Sequence, residues 1–147
     1  LDTVLALKYC MVPDDRKERF INNIENILET RSNKNQPYGD WGVMCVYPPY
    51  KISSHLVEKS MYEYVYHNGS DWPYLSACWA WVKKEEGRDY NYPLTRWFTY
   101  GLEQGWYTPV EYFNPLTGKG SLLQGWSAMA ASVFIYGRDD SQYKIKV

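Results

Sequence analysis

The sequence has almost no excess charge of either sign, and this excludes several classes of partner. Its 16 Lys and Arg residues stand against 17 Asp and Glu residues, which gives a formal net charge of −1 over 147 residues. The basic residues are scattered and form no stripe. Because nucleic acids and anionic membranes are bound chiefly through clustered positive charge, we expect neither as a partner.

Histidine and cysteine are scarce as well, which argues against metal sites and disulfide frameworks. The two histidines, His55 and His67, are isolated, and the three cysteines, Cys10, Cys45 and Cys78, lack the paired spacing of metal ligands. An odd number of cysteines cannot pair completely, so we expect reduced and mostly buried thiols. We expect no metal ion and no other cofactor.

Long hydrophobic runs are also missing. The most apolar stretch, residues 122–136, is interrupted by Gln124, Gly125 and Ser127, and it is shorter than the ~20 residues of a membrane-spanning helix. No signal peptide is recognisable. We therefore expect a soluble protein with no membrane partner. A cytoplasmic location is favoured, but the sequence does not fix the compartment.

Aromatic residues, by contrast, are abundant, and most of them carry a polar edge. Seven Trp and 15 Tyr residues stand against four Phe residues. Tyr and Trp are preferred over Phe where a ring needs one polar edge, as in a core that opens into a wet pocket. A neutral, hydroxyl-rich ligand fits this composition better than a charged one.

One carboxylate stands in a crowded aromatic loop. Glu111 lies within residues 106–115, among Trp, Tyr and Phe rings and two prolines. Flat ring faces can stack on a sugar, and a fixed carboxylate among them can orient or deprotonate a water, a combination that glycoside hydrolysis requires. Taken alone, such a residue is more often a solvated loop carboxylate or the partner of a nearby arginine.

Apolar periodicity predicts a single all-α domain over residues 1–147 with five helices. The first helix is expected to end near Met11, and the second to start at Asp14, with Asp15 and Glu18 spaced as a capping box. The third is expected from residues 71–73 to Gly87, with Asp71 as N-cap. The fourth is expected from Pro93 to Gly105 and the fifth from about Ser121 to Tyr136. Residues 32–55 are expected to form a long ordered loop and residues 144–147 a short strand. Helices joined by alternating short and long connections suggest stacked helical hairpins.

Three motifs together resemble one enzyme family. They are Tyr-Gly-Asp-Trp-Gly at 38–42 with Tyr-Pro-Pro-Tyr at 47–50, Tyr-His-Asn-Gly-Ser-Asp-Trp-Pro at 66–73, and Glu-Tyr-Phe-Asn-Pro at 111–115 followed by Gly118 and Gln-Gly-Trp-Ser-Ala at 124–128. In this order they resemble the C-terminal part of the six-hairpin toroid glycosidases, which include processing α-glucosidase I and its bacterial relatives, trehalase and the glucosidase domain of glycogen-debranching enzymes. The resemblance covers roughly residues 38–137. It implies an all-α fold of helical hairpins that form part of an (α/α)6 toroid.

The resemblance also implies roles for individual residues. Glu111 corresponds to the general base, which activates the attacking water with inversion at the anomeric carbon of an oligosaccharide or small α-linked glucoside. The residues that would line or brace the sugar pocket are Asp40, Trp41, Tyr66, Asn68, Asp71, Trp72, Tyr112, Gln124 and Trp126. Several of them could equally serve local structure alone, with Asn68 in a turn, Asp71 as a helix cap and the tryptophans in the core.

The sequence departs from the family at the general acid. Related enzymes supply an Asp from a loop well upstream of the Glu segment, in a stretch with no counterpart here. None of Asp2, Asp14, Asp15, Asp40, Asp71 or Asp89 sits in a matching context, and five helices are too few to close a six-hairpin ring. The chain starts at Leu1, already inside an apolar helical pattern. We therefore expect it to belong to a longer assembly, with very weak hydrolysis or none when the N-terminal part is missing.

Two other functions stay open at this point. One is a non-catalytic carbohydrate-binding or structural helical domain that keeps the aromatic pocket. The other is a phosphorylase of similar architecture, in which phosphate replaces water as the attacking group. A phosphorylase needs basic residues beside the pocket, and the Glu111 loop offers only Lys119 nearby.

Overall fold

The computed structural model describes residues 2–51, 62–105 and 110–116. In these ranges the chain forms four helices and no strand: α1 (Asp2–Lys8), α2 (Asp14–Ile27), α3 (Pro73–Glu85) and α4 (Asn91–Glu103). Two isolated antiparallel bridges, Glu29 with Val43 and Asp71 with Phe113, link the connecting segments. The prediction of an all-α chain is confirmed over these ranges. The predicted fifth helix at 121–136 and the predicted strand at 144–147 lie outside the described residues.

The first two helices start where local signals place them but end and cap differently. Helix α1 stops at Lys8, earlier than the predicted Met11, because Cys10 adopts a left-handed conformation with φ 55° that a helix cannot continue through. Helix α2 begins at Asp14, directly after Pro13, as predicted. The predicted capping box is wrong: the N-cap residue is Pro13, which makes no side-chain cap bond. Glu18 instead accepts hydrogen bonds from Asn22 and Arg88.

Helix α3 is the centre of the described structure and packs against α1 and α4. Pro73 occupies its first position, where a missing N–H costs nothing. Its N-cap residue is Trp72, so the prediction of Asp71 as N-cap is wrong; no side-chain cap bond is made there. Helix α4 begins at Asn91, two residues before the predicted Pro93, and Gly105 with φ 73° follows its end.

Two clusters of buried side chains hold these elements together. The first lies between α1, α2 and α3 and consists of Val4, Leu7, Ile21, Ile24, Val43, Cys78, Trp79 and Val82. The second lies under the connecting segments and consists of Trp41, Met44, Tyr64, Val110 and Phe113. Full burial of one such aliphatic or aromatic side chain contributes about 1.5–3 kcal/mol. The second cluster therefore stabilises the positions of the connecting segments.

A buried ion cluster joins α3 to the segment that follows α2. Lys83 and Glu29 are both 0% exposed, and the Lys83 Nζ lies 2.7 Å from Glu29 Oε1. The Trp79 indole N–H donates to the same oxygen at 2.9 Å, and Arg31 Nε lies 2.7 Å from Glu29 Oε2. Both carboxylate oxygens are thus engaged. Glu29 also forms the bridge to Val43, so the cluster sets the position of the 41–45 segment.

All three cysteines are free thiols. Cys45 and Cys78 are buried, as expected, and burial raises the pKa of each thiol. Cys10, in contrast, lies exposed in the turn after α1. The Cys45 thiol donates to the carbonyl of His67 at 3.3 Å, and its backbone N–H donates to Ser70 O at 2.9 Å.

Candidate functional site

The Glu111 loop is anchored on both sides of the carboxylate. Val110 and Phe113 are buried in the second cluster, whereas Glu111 and Tyr112 between them are half-buried. The loop pairs with the chain before α3 through two backbone bonds, from Asp71 N to Phe113 O at 3.1 Å and from Phe113 N to Asp71 O at 2.7 Å. A side chain held between two buried anchors has little backbone freedom. Glu111 is therefore presented from a fixed segment rather than from a loose loop tip.

Four aromatic rings form one cluster that includes Tyr112, the residue after Glu111. The Tyr66 ring meets those of His67, Trp72 and Tyr112 edge-on, with centroids 4.1, 5.0 and 5.4 Å away. The pKa of Tyr112 is raised, first by burial and then by the negative charge of Glu111. The structure brings the rings of Tyr66, Trp72 and Tyr112 together, and the sugar-binding role of these residues stays a prediction.

The backbone of Tyr66 explains how the cluster is oriented. Tyr66 adopts a left-handed conformation with φ 49°, which costs an ordinary residue roughly 1–2 kcal/mol. Its carbonyl accepts a hydrogen bond from the Trp72 indole N–H at 3.1 Å and another from the Ser70 hydroxyl. Strain of this kind persists only where surrounding contacts impose it, and it is concentrated at functional sites.

His67 is the ring of this cluster that sequence reasoning missed. Its imidazole lies parallel to the Trp72 indole, with centroids 4.4 Å apart and an interplanar angle of 3°. His67 is exposed, whereas Trp72 is only 9% exposed. A ligand approaching from solvent therefore meets His67 first, with Trp72 behind it. The Tyr-His-Asn-Gly motif contains this residue, but an isolated histidine carries no sequence signal for ring stacking.

Three other residues predicted to line or brace the sugar pocket are buried in the scaffold. Trp41 and Asp71 are both 0% exposed, so they could brace a pocket but present no surface to a ligand. The Trp41 indole donates to Gln36 within the second cluster. Asn68 is buried and clamps the backbone of Tyr50, accepting from its N–H at 2.6 Å and donating to its carbonyl at 2.9 Å.

Asp40 belongs to a separate group of hydrogen-bonded polar residues at the surface. The Tyr92 hydroxyl donates to Asp40 Oδ1 at 2.6 Å, and burial together with this bond raises the pKa of Tyr92. Arg96 donates to the Asp40 carbonyl and lies 3.5 Å from its carboxylate. Asp40 remains exposed, and its contacts with Tyr92 and Arg96 stabilise the turn at 39–42. The predicted site residues Gln124 and Trp126 lie outside the described residues.

Three described carboxyl groups can be compared with a general acid, which must stay protonated near neutral pH. Arginine partners lower the pKa of Glu18 (Arg88) and Asp89 (Arg31), which does not suit that role. Burial disfavours the charge of Asp71 and raises its pKa to about 7. Asp71 is 0% exposed, however, so a substrate cannot reach it. None of these three carboxyl groups therefore fits the general acid.

The cavity between α1 and α2 is not associated with these residues. It measures about 240 Å³ and is lined by Thr3, Phe20, Asn23, Ile24, Ile27 and Leu28. Glu111 and its rings contribute nothing to that lining. The candidate site therefore depends on the carboxylate and its aromatic neighbours and not on this groove.

A scan against protein-family models gives no match for this chain, and no curated protein matches it significantly. Within residues 2–51, 62–105 and 110–116, no group of three or more His, Cys, Asp or Glu side chains is placed to hold a metal ion. Over the same ranges, no helix has the length and apolar character needed to cross a membrane.

Proposed function

We propose that this chain carries the general base of an inverting glycoside hydrolase, with Glu111 as that base. The fold would be a set of helical hairpins from an (α/α)6 toroid, and the substrate a small α-linked glucoside or related oligosaccharide. The observation that supports the proposal is the position of Glu111, half-buried between the buried residues Val110 and Phe113 and followed by Tyr112, whose ring contacts those of Tyr66 and Trp72. Rings beside a fixed carboxylate suit the binding and hydrolysis of a sugar.

The chemistry assigned to Glu111 is the activation of water. Its carboxylate accepts a proton from a water placed opposite the leaving group, and the oxygen of that water attacks the anomeric carbon as the glycosidic bond breaks. A separate acid donates a proton to the leaving oxygen, from a carboxyl about 6.5–9.5 Å away in inverting enzymes. We propose that this acid, an Asp, comes from outside these 147 residues, in the same polypeptide or in an associated chain.

The test uses two substrates whose leaving groups differ in their need for the general acid. Fluoride leaves without a proton, so α-glucosyl fluoride needs the base but not the acid, whereas an α-linked disaccharide needs both. With the acid-bearing segment present, Glu111→Gln should lower turnover of both substrates by about 10²–10⁴-fold. Glu85→Gln, at an exposed carboxylate near the end of α3, is the matched control and should leave both rates unchanged.

The stereochemistry of the first product is the second readout. Proton NMR of the newly released sugar should show the β-anomer from an α-linked substrate, because a single displacement inverts the anomeric carbon. Hydrolysis that survives Glu111→Gln unchanged, or release of the α-anomer first, would remove the assignment.

The alternative of a non-catalytic carbohydrate-binding domain is favoured by one specific observation. The described ranges contain an exposed ring, His67, stacked on Trp72, and stacking on a sugar requires no catalytic carboxyl. Both functions predict oligosaccharide binding, so a change in tryptophan fluorescence on adding sugar does not separate them. A rate does: this alternative predicts no hydrolysis of α-glucosyl fluoride with or without the acid-bearing segment.

A further inference from the structure

Asp71 joins three separate segments of the chain. Its backbone pairs with Phe113 through two hydrogen bonds, at 3.1 and 2.7 Å. Its carboxylate accepts from the Val43 N–H at 2.7 Å and from the Ser76 hydroxyl at 2.6 Å. The Glu111 loop, the 41–45 segment and the first turn of α3 therefore meet at one side chain.

The fit around this carboxylate is tight. Gly42 adopts φ 148°, and a Cβ built on it would overlap the Asp71 carboxylate. The carboxylate thus fills the space that a side chain at position 42 would occupy. Both hydrogen bonds to the carboxylate come from neutral groups, the Val43 amide and the Ser76 hydroxyl. Asp71 is therefore held by shape and by directed hydrogen bonds.

Any shift of Asp71 is transmitted to Glu111 over a short distance. Phe113 is bonded to the Asp71 backbone and lies two residues after Glu111, and its ring is buried in the second cluster. Only the Tyr112 and Glu111 backbones and the side-chain bonds of Glu111 lie between this anchor and the carboxylate. A displacement of about 1 Å at a reacting group can cost on the order of 10²-fold in rate.

We propose that Asp71 is a positioning residue for Glu111, holding the Glu111 loop against the 41–45 segment and the start of α3. The proposal rests on the proposed function of Glu111. Asp71 does not touch substrate, because it is fully buried. It acts through the backbone pair with Phe113 and through the Val43 and Ser76 hydrogen bonds.

The side-chain chemistry predicts which substitutions preserve this role. Asparagine can accept from Val43 N–H with its oxygen and donate to the Ser76 hydroxyl with its amide, since a hydroxyl also accepts. Alanine loses both bonds and leaves the Val43 N–H buried without a partner. Asp71→Asn should therefore keep the loop in place, and Asp71→Ala should release it.

The activity test uses the enzyme with its acid-bearing segment present and α-glucosyl fluoride as substrate. Asp71→Ala should lower kcat by roughly 10–100-fold with KM changed less than about twofold, because a misplaced base affects the transition state more than substrate binding. Asp71→Asn should restore kcat to within about threefold of the wild-type value. A kcat for Asp71→Ala equal to wild type, or a loss in Asp71→Asn as large as in Asp71→Ala, would overturn the positioning role.

A second measurement does not depend on activity. Amide hydrogen exchange at Val43 and Phe113 should be about 10-fold or more faster in Asp71→Ala than in wild type, and unchanged in Asp71→Asn. The Leu28 amide, bonded to Ile24 O within the end of α2, is the internal control. If Asp71→Ala does not fold, Ser76→Ala removes one of the two carboxylate bonds and should show a smaller acceleration at Val43. Unchanged exchange in the variant that folds would overturn the positioning role of Asp71. An inactive wild-type enzyme with accelerated exchange in the variant would instead refute the function proposed for Glu111.

Discussion

Lys83 provides the sharpest test of how this fold is held together. Its ammonium group is completely buried and lies 2.7 Å from Glu29 and 3.0 Å from Glu25. Replacing it with methionine keeps a long apolar stem but removes the charge. Glu29, also fully buried, then loses one of its two cationic partners and keeps Arg31 and the Trp79 indole N–H.

The expected loss can be estimated from these contacts. Breaking a buried ion pair by removing one partner costs about 3–5 kcal/mol, since the other charge stays in a low-dielectric interior. Arg31 still compensates Glu29, so we expect the lower end, about 3 kcal/mol. For a chain of this size that corresponds to a fall in melting temperature of roughly 6–12 °C. Urea unfolding followed by tryptophan fluorescence and circular dichroism measures the free-energy change directly.

Two further variants make the reasoning refutable. Lys17→Met removes a lysine from a pair with Glu86 at the surface, and an exposed pair is worth at most about 1 kcal/mol. Adding Glu29→Gln to Lys83→Met should recover part of the loss, because the buried charge that only Arg31 then compensates is gone. If Lys83→Met costs no more than Lys17→Met, the buried cluster does not stabilise the fold as described.

Two other predictions concern the close packing around Asp71 and the burial of its carboxyl group. Gly42→Ala should destabilise the protein by about 1–3 kcal/mol more than Gly39→Ala, because both sites have positive φ but only Gly42 lacks room for a Cβ; equal losses in urea unfolding would contradict the tight fit. The pKa of Asp71 is raised by burial from 3.8 to about 7, so the folded state holds this proton more tightly than the unfolded state. This contribution to stability is fully present below about pH 4 and is lost as the pH rises to about 7. Relative to Asp71→Asn, the free energy of unfolding should fall by roughly 1.4 kcal/mol per pH unit across that window. A flat difference between the two proteins would show that Asp71 is not buried as the structure has it.

Local signals in the sequence predicted the helix starts well. Pro13 followed by two aspartates and Trp72 followed by Pro73 each fix a start through backbone chemistry that acts within a few residues. The predicted capping box is wrong because a contact distant in sequence competes with it. Glu18 has a better partner in Arg88, which is distant in sequence and adjacent in the fold. Competition of that kind cannot be read from spacing along the chain.

The difference between local signals and contacts distant in sequence also explains which features of the candidate site the sequence predicted and which it did not. The motifs put Tyr66, Trp72 and Tyr112 in one group and their rings are in contact, whereas the order of the rings depends on the left-handed backbone of Tyr66. Lys83, one of two adjacent lysines, carries no sign in the sequence that it is buried, because its partner Glu29 is 54 positions away. Non-local polar contacts therefore account for the failed capping box and for the burial of Lys83.

The distribution of the thiols gives this protein built-in reporters of local opening. A thiol reagent added to the native chain should modify Cys10 at once, since it is exposed, and reach the other two only through fluctuations. Cys45 is bonded to the segment just before Asp71, and Cys78 lies in the core between α1 and α3. Their separate labelling rates would distinguish loosening around the Glu111 anchor from loosening of the helical core, without any added probe or substituted residue.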